Sequence, residues 1–223
     1  MSLVHDIPFE VMDLQTFEVV DSSVISASGG LEWNDKAARP VSRDDADAEQ
    51  FSWSLSVDNY PIGERALNVM ILTHGSSLSA ESVRQIAAFL DGIEAKDAAV
   101  REAVLAGYGE ISLLADYLVP ELLANVEAPY LAMLFGVRID DGAISADEFL
   151  RGITLSAIRY QIDASETASF TMDYRMLVPS LIDADKRSAD RFLVFGGRYD
   201  ITNQVLAAKF SDAGKLLDLS IES

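Results

Sequence analysis

The apolar positions between residues 78 and 107 recur at the spacing of two short amphipathic helices. Ser79 has the hydroxyl of a helix N-cap, which can accept a hydrogen bond from an unpaired N–H of the first turn. Leu78 and Val83 have the spacing of a hydrophobic staple across that cap. The predicted buried face, at steps of three and four, comprises Val83, Ile86, Ala87, Leu90 and Ile93. The residues left for solvent are Arg84, Gln85 and Asp91.

The second helix of the pair is predicted to begin near Asp97. Its apolar face comprises Val100, Ala103, Val104 and Gly107. Arg101 and Glu102 are predicted to face outward, and Gly107 and Gly109 to supply the positive φ that ends the helix. Neither helix is long enough to be stable alone in water, so we expect both to pack on an apolar layer.

Alternation of apolar and polar residues predicts strands on both sides of this pair. The clearest half-buried strand places Phe51, Trp53, Leu55 and Val57 on one face. Turn-forming residues follow at 59–63, and a buried strand at 66–72 leads to the helices. Residues 153–162 carry apolar groups on both faces, which predicts a central strand. The remaining predicted strands are a pair broken near Asp13 within residues 9–21, and residues 24–33 and 168–178. Residues 192–201 form either a hairpin or one bulged strand, and residues 205–210 and 216–221 form a final hairpin.

A third helical region is predicted after the pair, at residues 113–126. Pro120 cannot donate a backbone hydrogen bond, so this region must kink or restart there. Residues 130–135 form a further short apolar helix, which Gly136 closes. Together these elements predict an α+β fold, with a mainly antiparallel sheet or sheets packed against a central helical segment.

The length and composition set the domain organisation. At 223 residues the chain can bury most of its apolar surface, and its 49% hydrophobic content excludes global disorder. Residues 1–64 are predicted to form an N-terminal β-rich region, either a separate domain or part of the same one. Residues 65–223 are predicted to form the α+β domain.

The net charge of −19, from 36 acidic and 17 basic residues, limits the classes of partner that the protein can bind. It excludes bare nucleic acid, because phosphate binding needs a concentrated cationic face. Two interpretations stay open: an acidic surface that docks a basic protein, such as a nuclease, and simple solubility through self-repulsion.

The same composition bears on compartment and chemistry. The absence of cysteine removes disulfides, thiolate nucleophiles and cysteine-ligated zinc. No apolar run approaches the ~18–20 residues of a membrane helix, and the N-terminus lacks the pattern of a secretory signal. We therefore expect a cytoplasmic protein with no cofactor and no membrane partner.

One short stretch, at the junction between the 66–72 strand and the first helix, offers candidate chemistry. His74 and Ser76 could act as base and nucleophile, but no neighbour supplies the orienting carboxylate or oxyanion pocket that catalysis needs. His74, Ser76 and Ser77 could instead bind a small anion at the helix N-terminus, although the stretch lacks P-loop spacing. The simpler interpretation is a loop histidine beside a serine-rich helix cap. No residue is predicted to be catalytic.

Residues 140–149 resemble the second half of a calcium-binding EF-hand loop. With Gly142 at position 6 of that loop, Glu148 falls at position 12. Positions 1 and 3 then fall on Val137 and Ile139, whose side chains carry no oxygen. Since the loop also leads into a predicted strand, we predict a turn and no metal site.

The other ionisable residues are weaker candidates for a functional site. His5 cannot form a zinc site by itself. Asp163, Glu166 and Asp173 flank a predicted hairpin turn, where paired carboxylates facing one cleft could do acid–base work. The commoner arrangement, exposed acids around a turn, is the one we predict.

Three stretches resemble a bacterial family of uncharacterised proteins, domain-of-unknown-function family two-thousand-and-four. They are the strand and helical pair at 67–104, "DEFLRGITLSAIRYQI" at 147–162, and the terminal hairpin at 205–223. The resemblance covers roughly residues 66–223. Residues 183–199 depart from the family's pattern as an extra loop and strand, and the first fifty residues match nothing in it. The resemblance implies an α+β fold without a catalytic motif, and immunity-type roles against toxins are suspected for some relatives.

The function expected from these observations is that of a non-enzymatic, protein-binding module, of inhibitor or immunity type, with an acidic face for a basic protein. The alternatives are an enzyme or small-anion binder that uses His74, Ser76 and Ser77, and a structural oligomer. The sequence predicts no oligomeric state.

Overall fold

A computed structural model describes most of the chain. The described residues are 7–13, 18–25, 31–32, 53–62, 65–74, 77–109, 113–136, 143–162, 168–183 and 185–222. All the elements and contacts given below lie within these ranges.

The fold is α+β, as predicted. The helices are α1 (Ala80–Asp91), α2 (Ile93–Gly107), a π-helix (Leu113–Leu118), α3 (Val119–Asn125), α4 (Ala128–Phe135), α5 (Ala146–Gly152) and a 3₁₀ helix (Lys186–Arg191). The strands are β1 (Ile7–Asp13), β2 (Glu18–Ile25), β3 (Leu31–Glu32), β4 (Trp53–Ile62), β5 (Arg65–Thr73), β6 (Ser77–Leu78), β7 (Thr154–Ile162), β8 (Ala168–Arg175), β9 (Leu177–Val178), β10 (Val194–Phe195), β11 (Arg198–Asp200), β12 (Val205–Ser211) and β13 (Leu216–Glu222).

The main sheet of the described residues contains eight strands in the order β13-β12-β8-β7-β5-β4-β1-β2. β1 pairs antiparallel with β2 and β4, and β4 pairs antiparallel with β5. β5 and β7 run parallel, with Val69 opposite Ile158. A parallel pair needs a long crossover connection, and helices α1 to α5 lie in this one. Smaller sheets are formed by β10-β11-β9 and by β3-β6.

The chain divides into two compact units, each assembled from separate stretches of sequence. The first unit comprises Met1–Ile93, Ala157–Thr171 and Lys209–Lys215, and the second comprises Glu94–Ser156, Met172–Ala208 and Leu216–Ser223. The boundary considered at residue 64 lies inside the first unit, between β4 and β5, whose strands pair with each other.

Helix α1 has the cap and the buried face that the sequence predicts. The Ser79 Oγ accepts a hydrogen bond from the Ser82 N–H at 3.0 Å. Leu78 and Val83 on either side of the cap are both buried, as are Ile86, Ala87, Leu90 and Ile93. The apolar stripe therefore identifies the packed face of the helix.

An aromatic cluster holds α1 against the sheet within the first unit. Phe89, which the predicted stripe omits, stacks on Phe170 with ring centroids 4.0 Å apart and meets Phe210 edge-on at 5.5 Å. The Tyr160 ring lies 4.6 Å from that of Phe170. Gln85, predicted to face solvent, is half-buried, and its Oε1 accepts a hydrogen bond from the Tyr160 hydroxyl at 2.9 Å. Each aromatic pair adds about 0.5–1.5 kcal/mol beyond the area that it buries.

Strand β4 is longer than its alternating pattern predicts. Most of the predicted turn at 59–63 lies inside the strand, which continues to Ile62. The register with β5 shifts between Val57 and Tyr60, and Asn59 has a φ of 54° at this shift. The Asn59 N–H donates to Asn68 Oδ1 at 3.0 Å. The turn-forming residues thus make a bulge, which asparagine permits because it tolerates left-handed backbone.

Helix α2 begins at Ile93 rather than near Asp97. Asp97 therefore lies inside the helix, and it is only 4% exposed. Val100 and Val104 are buried as predicted. The predicted stop is wrong in detail, because Gly107 is the last residue of the helix and has no positive φ.

The later elements follow the sequence more closely. Pro120 lies in the first turn of α3, directly after the π-helix, which confirms the predicted restart. Gly136, with a φ of 70°, closes α4 through its N–H to the Ala132 oxygen. The predicted hairpins are present as β10–β11 and β12–β13. In the N-terminal part, β1 and β2 form the predicted pair, whereas β2 and β3 each cover only part of the strand predicted at 24–33.

Candidate functional site

The candidate anion site lies at the junction after β5, and the structure describes part of it. His74 directly follows the buried Thr73 and is itself half-buried. Ser76 lies outside the described residues, so its geometry toward His74 is untested. Ser77 lies in β6, where it pairs with Glu32 of β3, and the helix is capped by Ser79. A ligand site formed by His74, Ser76 and Ser77 stays a prediction.

The EF-hand-like stretch contains a helix that the sequence analysis did not predict. The Ser145 N–H and Oγ both donate to Glu148 Oε2, at 2.8 and 2.7 Å, and the Glu148 N–H donates to Ser145 Oγ at 3.4 Å. This capping box starts α5, so the expectation that the loop leads directly into a strand is wrong. The bonds from the Ser145 side chain and then its backbone lower the pKa of Glu148. The carboxylate thus stabilises a helix start.

No cluster of acidic, histidine or cysteine side chains within the described ranges is arranged to hold a metal ion. His5, Asp163 and Glu166 lie outside those ranges. Asp173 was predicted to be an exposed turn acid, and this is wrong, because it lies buried within β8. Its backbone oxygen accepts a hydrogen bond from the Ser156 hydroxyl at 3.0 Å.

A buried carboxylate joins three elements of the second unit. Asp97 Oδ1 accepts from the Tyr174 hydroxyl at 2.8 Å and from Arg101 Nε at 3.1 Å. Arg101 continues to the Leu150 carbonyl oxygen at 2.9 Å, so it does not simply face outward as predicted. Helix α2 is thereby tied to β8 and to α5. The arrangement serves packing, because a buried charge needs a partner and further hydrogen bonds.

A second buried ion pair fastens the small sheet. Arg175 donates to Asp200 Oδ2 at 2.6 Å, and the Asp200 side chain is fully buried. The Arg175 guanidinium also lies over the Phe195 ring at 4.6 Å. Arg198 donates to the Leu177 carbonyl oxygen at 2.6 Å. These contacts join β8, β9, β10 and β11.

Two tyrosine hydroxyls in the second unit, that of the buried Tyr130 and that of the half-buried Tyr108, hold loops. The Tyr130 hydroxyl donates to Asp185 Oδ2 at 2.6 Å and accepts from the Ile182 N–H at 3.2 Å. The Tyr108 hydroxyl donates to the Ile144 carbonyl oxygen at 2.7 Å. Burial is the main cause that raises the pKa of each tyrosine to about 12. Both phenols therefore act as neutral donors.

The helices of the second unit leave several large apolar side chains in solvent on a stretch without basic residues. We call residues 102–136 the acidic helical segment, because no lysine, arginine or histidine lies between Arg101 and Arg138. Among the residues of the segment that the structure describes, which omit 110–112, the exposed acidic ones are Glu102, Asp116 and Glu127. Its exposed large apolar residues are Leu105 (48% exposed), Tyr117 (50%) and Met133 (43%). The segment therefore combines negative charge with apolar side chains that are left in solvent.

Tyr117 shows how charged and apolar groups meet in this segment. The charge of the nearby Glu121 carboxylate, and then a hydrogen bond to it, raise the pKa of Tyr117. The phenol thus has an apolar ring in solvent and a carboxylate at its polar end. The sequence analysis missed this segment. Its lack of basic residues is visible in the sequence, whereas the exposure of Leu105, Tyr117 and Met133 requires the structure.

No family model, no curated protein and no solved structure matches the chain. The resemblance of residues 66–223 to the uncharacterised bacterial family stays a prediction. No helix in the described ranges combines the length and the apolar character that crossing a membrane requires.

Proposed function

We propose that the protein is a non-enzymatic, cytoplasmic binding protein, of inhibitor or immunity type, that docks a basic protein through the acidic helical segment. One observation carries the proposal. Leu105, Tyr117 and Met133 are exposed on a segment whose charged residues are all acidic.

The two kinds of side chain have different roles in such an interface. Aromatic residues and methionine are enriched at protein interfaces, and a few central anchors supply most of the binding energy. Tyr117 suits an anchor because its rigid ring loses little conformational entropy on binding. Exposed carboxylates such as Asp116 and Glu127 attract and orient a basic partner, and they disfavour an acidic one.

The carboxylates of the second unit that are engaged in hydrogen bonds support a role without catalysis. Asp97 and Asp200 accept hydrogen bonds from neighbouring elements, and Glu148 caps a helix. These carboxylates hold the fold together, while the exposed acidic residues of the segment are left at the surface. The alternative, a small-anion binder or enzyme at His74, Ser76 and Ser77, predicts that an anion raises the melting temperature of the wild type but not of His74→Ala.

The test uses matched substitutions of exposed leucines. Leu105→Ser changes the segment, whereas Leu193→Ser changes a leucine of similar exposure, 48% against 53%, outside it. Immobilised wild type and both variants are incubated with extract of the producing cells, and retained basic proteins are identified and their affinities measured. Leu105→Ser and Tyr117→Ser should each weaken binding of the retained partner about tenfold or more, as expected for anchor residues.

The control variant should bind that partner as the wild type does. Equal loss with Leu193→Ser would place the contact elsewhere or indicate a general effect on folding. If the wild type retains no basic protein that the segment variants lose, the proposed function is wrong.

A further inference from the structure

We propose that β13 takes up an extended, basic segment of the partner as an additional strand of the main sheet. This rests on the proposed function, because it names the part of the partner that binds and the element that receives it. The starting observation is the strand order, in which β13 ends the sheet and has β12 as its one neighbour among the described strands.

The hairpin geometry shows which backbone groups β13 offers. The Ser211 N–H donates to the Lys215 oxygen at 2.9 Å, and the Gly214 N–H donates to the Ser211 oxygen at 2.9 Å. Bonded and non-bonded positions alternate along an antiparallel ladder. Leu216, Asp218 and Ser220 therefore point their N–H and C=O groups away from β12. An added strand would pair with these groups.

The sequence of β13 leaves this edge open to pairing. Sheet edges are commonly protected by proline, by charged side chains, especially lysine, or by a bulge. The strand, LLDLSIE, contains neither proline nor lysine, and both of its charged residues are acidic, so they would repel an acidic strand but not a basic one. Leu217 is 56% exposed, and Leu219 and Ile221 on the same face are half-buried. Alternate side chains of an incoming strand could cover this apolar row, as occurs in other strand-addition complexes.

The charges on and beside β13 favour a basic segment as the strand that pairs with this edge. Asp218 is exposed on β13, and the π-helix that packs against this strand carries the exposed Asp116. A basic segment would pair its cations with these carboxylates while its backbone completes the ladder. A second copy of this chain is disfavoured, because each copy brings a net charge of −19.

The test uses three synthetic ten-residue peptides. The first alternates lysine with valine, the second has the same sequence with alternate backbone nitrogens methylated, and the third replaces lysine with glutamate. Binding is measured by calorimetry, and backbone amide exchange is measured with and without peptide. The lysine peptide should bind and slow exchange at Leu216, Asp218 and Ser220, whereas methylation and glutamate should each weaken binding at least tenfold.

A matched pair of protein variants completes the design. Ser220→Pro removes an N–H that points away from β12, so the intramolecular ladder stays intact, and Ser220→Ala keeps that N–H. The proline variant should lose peptide binding and the alanine variant should keep it. The peptide arms remain decisive if the proline variant does not fold.

The outcomes separate this inference from the proposed function. Equal binding of the methylated and unmethylated lysine peptides would overturn strand addition but leave an acidic docking surface in place. No binding of the lysine peptide would overturn strand addition. Wild-type dimers in light scattering that Ser220→Pro abolishes and Ser220→Ala retains would identify a second copy, and not a basic partner segment, as the occupant of this edge. Loss of partner binding in Leu105→Ser is measured separately and tests the proposed function.

Discussion

The carboxylate of Asp97 accepts a hydrogen bond from the hydroxyl of Tyr174 at 2.8 Å, across 77 residues of sequence. Both residues are buried, and Arg101 donates to the same carboxylate oxygen at 3.1 Å. Helix α2 and strand β8 are therefore joined by a charged group that water hardly reaches. The pair shows one use of a carboxylate in the interior of this acidic chain, as a structural hydrogen-bond acceptor.

Asp97→Ala should destabilise the protein by about 2–4 kcal/mol, because it leaves the Tyr174 hydroxyl and the Arg101 guanidinium without their acceptor. Asp97→Asn keeps an acceptor oxygen and should cost less. The free energy of unfolding is measured in urea. Glu102→Ala, on the exposed side of the same helix, is the control and should change stability by less than about 0.5 kcal/mol. Equal effects of Asp97→Ala and Glu102→Ala would contradict the structural role of Asp97.

Gly152→Ala should destabilise the protein by about 1–3 kcal/mol through overpacking. A Cβ on Gly152 would overlap the buried Phe135 ring, with Cδ1 at 2.6 Å. The matched control is Gly109→Ala, whose added Cβ has no atom within 4 Å. Thermal unfolding of both variants checks this. A Gly152→Ala protein as stable as Gly109→Ala would show that α5 does not pack on α4 as described.

Removing the Tyr108 hydroxyl should change how stability depends on alkaline pH. The pKa of the phenol is raised from 10.0 to about 12, by burial and then by the charge of Glu148. Between pH 10 and 12 the unfolded chain has lost this proton while the native state keeps it. The native state therefore binds more protons, and the free energy of unfolding falls as pH rises through this window.

Tyr108→Phe should thus reduce the fall in stability between pH 10 and 12, and below pH 10 it should cost about 0.5–1.5 kcal/mol for the lost hydrogen bond to Ile144. Urea unfolding at a series of pH values gives both quantities. Tyr130 has its pKa raised to about 12 as well, so Tyr130→Phe should have a similar effect. An unchanged slope in both variants would mean that these phenols are not buried donors.

The capping box of α5 predicts how the stability of the protein changes at acidic pH. Ser145→Ala should cost about 1 kcal/mol, as expected for loss of an N-cap hydroxyl. Because the pKa of Glu148 is lowered in the folded state, its contribution is present above its ordinary pKa and is lost as the pH falls. Glu148→Gln should therefore flatten the acid limb of the stability curve. An acid limb that stays as steep as in the wild type would contradict this role of Glu148.

Local patterns predict the elements of this fold well where neighbouring residues determine the structure. The Ser79 cap and the apolar stripe of α1 need only the spacing along one helix. Phe89 lies outside that stripe, and its burial depends on Phe170 and Phe210, which come from distant strands. Helix α5 is not predicted, although Ser145 and Glu148 have the spacing of a capping box. The residues after it have the alternating pattern of a strand, and the helix is too short to show an apolar stripe of its own.

Long-range contacts explain why the polar contacts in the interior were harder to predict than the helices. Gln85 and Asp97 looked like ordinary polar positions of two helices, and their partners, Tyr160 and Tyr174, lie more than seventy residues away. The solvent exposure of a side chain likewise depends on residues that are distant in the sequence. A large apolar residue such as Tyr117 is expected in a core, and only the packing of the other elements leaves it in solvent.

The most direct test of whether the acidic helical segment is a docking surface is the affinity of the captured basic partner. Calorimetry measures this affinity at low and at high salt, for the wild type and for Tyr117→Ala. Affinity of the wild type should fall as salt screens the carboxylates, and Tyr117→Ala should weaken binding by about tenfold or more at either salt concentration. A partner that binds with the same affinity at both salt concentrations, or that binds Tyr117→Ala as tightly as the wild type, would contradict it.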